Sequence, residues 1–363
     1  MSHYHYPTLL AFAETVFLQM GVEPAHAKTA AQNLLSADLR GVDSHGVARL
    51  EGYVRLWEKG RINAKAEFKV VHESPSTAVI DADAGLGLAV GSVAMQLAMD
   101  KANTCGTGWV AVRNSNHFGI AGQYAMMAAE KGMIGIATTN ASPLVSPTFG
   151  AQRMLGTNPF AFAIPAATEP TFVADFATTT AANGKLEMLE RKNEPAPNGW
   201  IQTASGESST DPKAVKAGGS LLPLGGDRLH GSHKGYSLGA VADILSGVLS
   251  GANYGPWVPP FVAFLNPLPD LPGLGLGHFF GAMRTDAFRP AEEFLAHMDK
   301  WIIAMRGTRP IDPAQPVQIP GDYERKCTAE RMEKGIYLLP EIESSLDVLA
   351  QKFSISGLQK SEA

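Results

Sequence analysis

One short stretch, Asp43-Ser44-His45-Gly46-Val47-Ala48-Arg49 with Tyr53 one turn further, joins groups suited to proton transfer and anion binding. At 100° per residue, His45, Arg49 and Tyr53 fall within an arc of about 80° on a helix. Val47, Leu50, Val54 and Trp57 form a separate apolar stripe able to pack on a core. With Ser44 or Asp43 as cap, His45 would stand at a helix N-terminus, where free amides suit an anion. Arg49, a turn below, offers a planar fork that pairs bidentately with a carboxylate. A proton donor beside an acid-binding group is what reduction of a 2-oxo acid needs. The same pattern also fits a solvated helix face.

Four further segments carry candidate groups. His117 sits in Asn114-Ser115-Asn116-His117-Phe118-Gly119 after an expected strand, as a second acid or base, a cofactor contact or a structural histidine. Asp175-Phe176-Ala177-Thr178-Thr179-Thr180 also follows a strand, and its hydroxyls suit ribose or phosphate as well as an ordinary capped loop. Gly231-Ser232-His233-Lys234-Gly235 places a cation between glycines, where backbone can approach a phosphate. It lacks the Walker spacing. His230 and His233 have no accompanying carboxylate cluster, so no metal is expected. Gly85-Leu86-Gly87-Leu88-Ala89-Val90-Gly91 lies between a strand and a helix, the context of a dinucleotide fingerprint. The next strand ends in Arg113 and Asn114 instead of an acidic residue, and a tight turn for close helix packing explains the glycines equally well.

These segments need elements to hold them. Pro7 and Pro24 open two helices that end at Gly21 and Gly41, and a third is expected from near Ser44 to Gly60. Strands are expected at 77–81, 109–113, 134–138, 160–165 and 171–176, with helices at 90–102 and 121–131 between them. Residues 190–230 read as a long polar excursion. Helices are expected again at 236–249, 288–306 and 341–353, while the glycine run 273–281 reads as turn and strand punctuation. The class is α/β or α+β. A helical subdomain over 1–73, joined by C-terminal helices in 290–363, is expected to flank an α/β domain over 74–289.

Composition narrows the function classes. The 363 residues suggest about two domains at ~150 residues each. Forty-five per cent hydrophobic and 18% charged residues point to a well-packed chain. Thirty Lys and Arg against 35 Asp and Glu give −5, with no basic run, so nucleic acid is not an expected partner. Cys105 and Cys327 are too few for a disulfide framework or a cysteine-based zinc site, which favours the cytoplasm. No signal peptide is expected. The longest uncharged stretch, 244–269, holds five prolines and cannot form one membrane helix.

Taken together, the motifs resemble the malate/L-lactate dehydrogenase family, which also includes ureidoglycolate dehydrogenase, 2,3-diketogulonate reductase, sulfolactate dehydrogenase and a piperideine-2-carboxylate reductase. The resemblance rests on 38–49 (Asp38 to Arg49), Asn114 to Gly119, Leu155-Gly156-Thr157-Asn158-Pro159, Ala161 to Pro165, Asp175 to Thr178, Lys234-Gly235-Tyr236 and Ile319-Pro320-Gly321-Asp322, in family order. It implies a non-Rossmann α/β fold with a mostly antiparallel central sheet, and a homodimer whose subunits both border the cleft. It implies an NAD- or NADP-dependent oxidoreductase acting on a small 2-oxo or 2-hydroxy acid. His45 would be the proton donor, His117 the second active-site histidine, and Ser44, Arg49 and Tyr53 the substrate's surroundings. Asp175, Phe176, Ala177, Thr178, Thr179, His233, Lys234, Gly321, Asp322 and Tyr323 would line the cofactor. Asp322 stands where many members carry Glu, and the position of His233 varies in the family. A cyclic imine reductase and a catalytically silent dimeric binding protein are the rival expectations.

Overall fold

The computed structural model describes residues 3–358. A short strand β1 (His3–Tyr4) leads into α1 (Tyr6–Gln19) and α2 (Pro24–Leu39), each with proline in its first turn. Proline's missing N–H is harmless there. Two 3-10 turns, Asp43–His45 and Val47–Arg49, precede α3 (Leu50–Glu58). Next come β2 (Lys69–Glu73), β3 (Thr77–Asp81), α4 (Gly87–Cys105), β4 (Thr107–Ser115), α5 (Ala121–Ala129), β5 (Met133–Thr139), β6 (Phe160–Ile164) and β7 (Phe172–Phe176). The expected excursion contains the end of α6 (Asn183–Lys192) and three two-residue strands, β8 (Ile201–Gln202), β9 (Ser208–Ser209) and β10 (Ser220–Leu221). The chain then forms α7 (Ser232–Asp243), which runs on as a π-turn over Ile244–Val248, and β11 (Leu276–Arg284). It closes with α8 (Ala291–Arg306), α9 (Asp322–Lys334), β12 (Ile336–Tyr337) and α10 (Pro340–Phe353).

The main sheet has the order β2-β3-β4-β11-β5-β6-β7. Only β3 and β4 run parallel, joined through α4, and every other neighbour pair is antiparallel. The sheet is therefore mostly antiparallel, and helices α4 and α5 bury its face around Ile80, Met95, Val110, Tyr124 and Phe280. A second core joins α1–α3 to β12 and α10 through Leu9, Phe17, Leu34, Tyr53, Ile336 and Leu346. A third, smaller core gathers Leu144, Leu155, Leu186, Ile201 and Leu221 beneath the excursion. Helix α8 rests on the β7 side of the sheet, where Trp301 meets Phe172 edge-on. Among the described residues no helix is long and apolar enough to cross a membrane.

The glycine run 273–281, expected as punctuation, instead enters a central strand. A Cβ on Gly277 would lie 1.8 Å from the Ser246 carbonyl oxygen, and one on Gly281 would lie 2.3 Å from the Trp109 ring. Those two positions let the π-turn and an indole lie flush against β11. The earlier glycine motif is similar. A Cβ on Gly87 would collide with the Asn116 carbonyl at 2.1 Å, and one on Gly91 with the Tyr124 ring at 2.6 Å. Gly87 seats α4 against the loop that carries His117, and Gly91 seats it against α5.

His278 on β11 is completely buried. Its Nδ1 lies 2.7 Å from the Thr139 hydroxyl and its Nε2 2.7 Å from that of Ser115. Burial holds it neutral, with its pKa lowered to about 3. An unfolded histidine titrates near 6.5, so below that pH the unfolded chain takes a proton that the folded chain refuses. Stability should fall as pH drops from about 6.5 toward 3, on the order of a few kcal/mol from this group. Thermal melts from pH 7 to pH 4 should show the decline, and His278→Gln should lower Tm at pH 7 yet flatten the slope. An unchanged slope would exclude His278 as a source.

Candidate active site

The buried end of α2 sets the local geometry. The Asp38 carboxyl group accepts the Val47 N–H at 2.7 Å. A Cβ on Gly46 would lie 2.1 Å from the Asp38 carboxyl carbon. Gly46 takes an extended ψ of −145°, which breaks the helix expected from Ser44 into two 3-10 turns before α3. His45 thus ends a 3-10 turn and does not cap a helix, and the helix-terminal anion site expected there does not form. Burial, with the Asp43 charge added, pushes the Asp38 carboxyl up to about 8. Gly46→Ala should force these turns apart, at a cost of roughly 1–3 kcal/mol by overpacking. A lower Tm together with reduced turnover is expected; an unchanged melt and rate would show that the turns tolerate the methyl group.

His45, Arg49 and His117 line one cleft with Ser142, Thr157 and Phe261. The two imidazoles stack at 5.7 Å between centroids and 25° between planes. The Ser44 hydroxyl lies 2.9 Å from His45 Nδ1. Arg49 Nε donates to the Ser44 carbonyl, and its Nη2 lies 3.9 Å from Glu187 Oε2. Tyr53 is fully buried below the cleft, so it does not share a face with His45 and Arg49. It joins them through its hydroxyl, 2.6 Å from His117 Nδ1. Burial, then the Arg49 charge, lower His45 to about 4. Burial and the charges of His45 and Arg49 likewise hold His117 well below the usual range. Both imidazoles are therefore neutral at neutral pH.

The His117 loop is held from below. Asn116 Nδ2 donates to the Ala84 carbonyl at 2.8 Å and to that of Gly85 at 3.1 Å. The Gly119 N–H points to His117 Nδ1 at 3.4 Å. With Nδ1 accepting from backbone and facing the Tyr53 hydroxyl, the proton of the neutral ring belongs on Nε2.

Two further segments complete the cleft. Phe261 sits in the proline-rich stretch, its ring tilted 4.6 Å from that of His117 and edge-on 5.2 Å from that of Tyr53, and it donates its N–H to Ser142 Oγ at 2.8 Å. Ala182, Asn183 and Gly184 at the start of α6 form another wall. No local sequence signal marks Phe261 as part of a site, whereas Ala182 to Gly184 continue the run that begins at Thr178.

The expected cofactor residues group around β7. Asp175 and Phe176 end that strand and are exposed. One Asp175 oxygen accepts the Gly122 N–H at 2.7 Å. Thr178 and Thr179 are buried; the first hydroxyl donates to the Thr157 and Asn158 carbonyls at 3.1 Å and the second to Ala181 at 2.8 Å. Those hydroxyls anchor the chain between Ala177 and the cleft. Gly239 of α7 packs against Thr178, which brings the start of α7, with His233 and Lys234, beside this run. His233 Nδ1 lies 3.0 Å from Arg228 Nη1, and Lys234 is exposed, with no ion pair among the described residues. Gly321, at φ +98°, caps α9 against Val173 of β7. Asp322 is held by Arg306 and Arg325 and accepts the Ile319 N–H at 2.8 Å, while Tyr323 is half exposed.

The family model for malate/L-lactate dehydrogenase matches residues 4–347. The chain is 42% identical over 352 residues to the malate dehydrogenase of Pyrococcus abyssi, covering 97% of this chain and 95% of that one. It is 38% identical over 328 residues to the L-sulfolactate dehydrogenase of Methanocaldococcus jannaschii, covering 89% and 90%. The solved malate dehydrogenase of Pyrococcus horikoshii superposes with a TM-score of 0.88 at 39% identity, over 98% of this chain and 97% of that one. A match of this extent, on a fold whose sheet is mostly antiparallel, makes the chain an oxidoreductase of hydroxy acids and a member of the malate/L-lactate dehydrogenase family.

Proposed function

We infer that this protein interconverts a small 2-oxo acid and its 2-hydroxy acid, with His45 exchanging the proton. The observation that carries this reading is the pair of neutral, stacked imidazoles beside the Arg49 guanidinium in one cleft. Arg49 holds the substrate carboxylate with the terminal nitrogens left over from its bond to Ser44. His117, with its proton on Nε2, donates a hydrogen bond to the substrate oxygen and cannot readily accept a proton there. His45 gives the proton to the forming alkoxide in reduction and removes it in oxidation. A nicotinamide dinucleotide, when bound, supplies or takes the hydride.

The residues present fit such a group. Lys234 is an exposed cation at a helix start, and the rings of Phe176 at the end of β7 and Tyr323 after Gly321 are exposed. Asp175, Ala177, His233, Gly321 and Asp322 complete a surface along that strand, while Thr178 and Thr179 support it from below. The reading that goes with this surface is a non-Rossmann fold with NAD or NADP as the dinucleotide.

A second copy of the chain is the expected partner. Leu238, Val241, Ile244 and Val248 on α7 and its π-turn, and Leu249 just after it, are exposed large apolar side chains at helical spacing. Sedimentation at micromolar concentration should return a dimer mass, and a monomer mass would overturn the pairing. The unpaired cysteines, exposed Cys105 and buried Cys327, suit a reducing compartment such as the cytoplasm.

The deciding test follows absorbance of the reduced nicotinamide, with NADH and NADPH in turn, against pyruvate, oxaloacetate, diketogulonate and piperideine-2-carboxylate. Consumption with an oxo acid supports the reading. Consumption with the imine alone replaces it by imine reduction. No consumption and no dinucleotide binding would leave a silent scaffold.

A further inference from the structure

Helix α6 sets its first turn directly on the catalytic segment. A Cβ on Gly184 would lie 2.8 Å from Ser44 Cβ and 3.3 Å from Arg49 Nη2, so the absence of a side chain permits the approach. Leu186 is buried and anchors the helix in the third core. One turn along, Glu187 lines the groove that adjoins the cleft at Arg49, with Oε2 3.9 Å from Arg49 Nη2. Asn183 Nδ2 donates to Glu187 Oε1 at 2.9 Å and holds the carboxylate in place. Both partners are partly exposed, Arg49 at 21% and Glu187 at 30%. The pair is close enough to attract, too long for a hydrogen bond, and screened by water.

We propose that Glu187 is a built-in competitor for Arg49: it accompanies the guanidinium in the empty cleft and is displaced by the substrate carboxylate. This rests on the reading of Arg49 as the carboxylate clamp. Two carboxylates facing one guanidinium repel each other, and the incoming acid makes the bidentate contact that Glu187 does not make. A weak, screened pair suits this role, because it steadies Arg49 without closing the site. Glu187 is thus a positioning residue that sets substrate affinity and takes no part in proton or hydride transfer.

The test uses the full-length enzyme with Glu187→Gln, which keeps the size and the Asn183 contact but removes the charge. KM for the 2-oxo acid should fall roughly 2–5-fold, the range of one exposed ion pair. The kcat should stay within about twofold, since the charge does not act on the reacting atoms. The dissociation constant of oxamate, an unreactive isostere of a 2-oxo acid, should fall by the same factor by calorimetry on the NADH-loaded protein. The KM for the dinucleotide should not move. Arg49→Ala is run in parallel. A raised KM in Arg49→Ala with an unchanged or raised KM in Glu187→Gln overturns the competition and leaves the clamp intact. A fall in KM that persists when both substitutions are combined overturns it too, by revealing a general field effect. An unchanged KM in Arg49→Ala overturns the clamp and the competition with it.

Discussion

His45→Ala is expected to lower kcat by roughly 10²–10⁴-fold, the range associated with loss of a general acid–base group. The fold should survive, because His45 is half-buried at the cleft and touches the neighbouring Ser44 hydroxyl and the His117 ring without bridging the cores. The pH profile sharpens the assignment. Burial and Arg49 lower His45 to about 4, so at neutral pH it is a base and not an acid. Oxidation of the hydroxy acid needs the neutral ring, so its kcat/KM should stay level down to about pH 5 and fall as pH passes through about 4. Reduction needs the charged ring and should speed up as pH falls over the same window. His117→Gln keeps an N–H donor at the substrate oxygen and should cost less than His45→Ala. Stopped-flow and steady-state rates in both directions check the set. Turnover near the parent level in His45→Ala would remove His45 from the role and pass it to His117.

Arg49→Lys is expected to reduce kcat/KM for the acid by roughly 10–100-fold, corresponding to about 1.5–3 kcal/mol for a hydrogen bond to a charged group. An ammonium carries the charge but not the planar fork. The guanidinium also donates through Nε to the Ser44 carbonyl, so one planar group both fixes the His45 turn and faces the substrate. The loss should therefore be seen mainly in KM, with a smaller fall in kcat from the loosened turn. Steady-state kinetics with saturating dinucleotide separates the two. Unchanged KM and kcat would refute the clamp.

Much of the fold is legible in the order of residues, because its signals are local. Prolines in the first turns and glycines after the last ones bound α1 and α2. Strand β3 falls on the residues expected, and β4 to β7 deviate by one or two at their ends. Strand β11 is hidden because its glycines erase the side-chain alternation that marks a strand, and only the neighbours packed on them explain why they are there. Helices α6 and α9 are hidden for another reason. They are polar along most of their length, so their helical periodicity carries no apolar stripe.

The site divides the same way. Residue types and close spacing are enough to single out Ser44, His45, Arg49, Tyr53, His117, Lys234 and the hydroxyl run after Asp175, and the family resemblance adds Gly321, Asp322 and Tyr323. The geometry joining them is tertiary. Gly46 breaks the helix that spacing alone predicts, because the Asp38 carboxyl group, eight residues back, takes the place of its side chain. Tyr53 leaves the face it was expected to share and reaches the cleft through His117, 64 residues away. Phe261 and Glu187 arrive from segments with no motif at all. Sequence by itself determined which chemical groups are available and which neighbours along the chain could share a face. The tertiary structure decided which of them meet, which are dry enough to stay neutral, and which glycine gives way to a carboxyl group, because those outcomes depend on contacts between residues far apart in the chain.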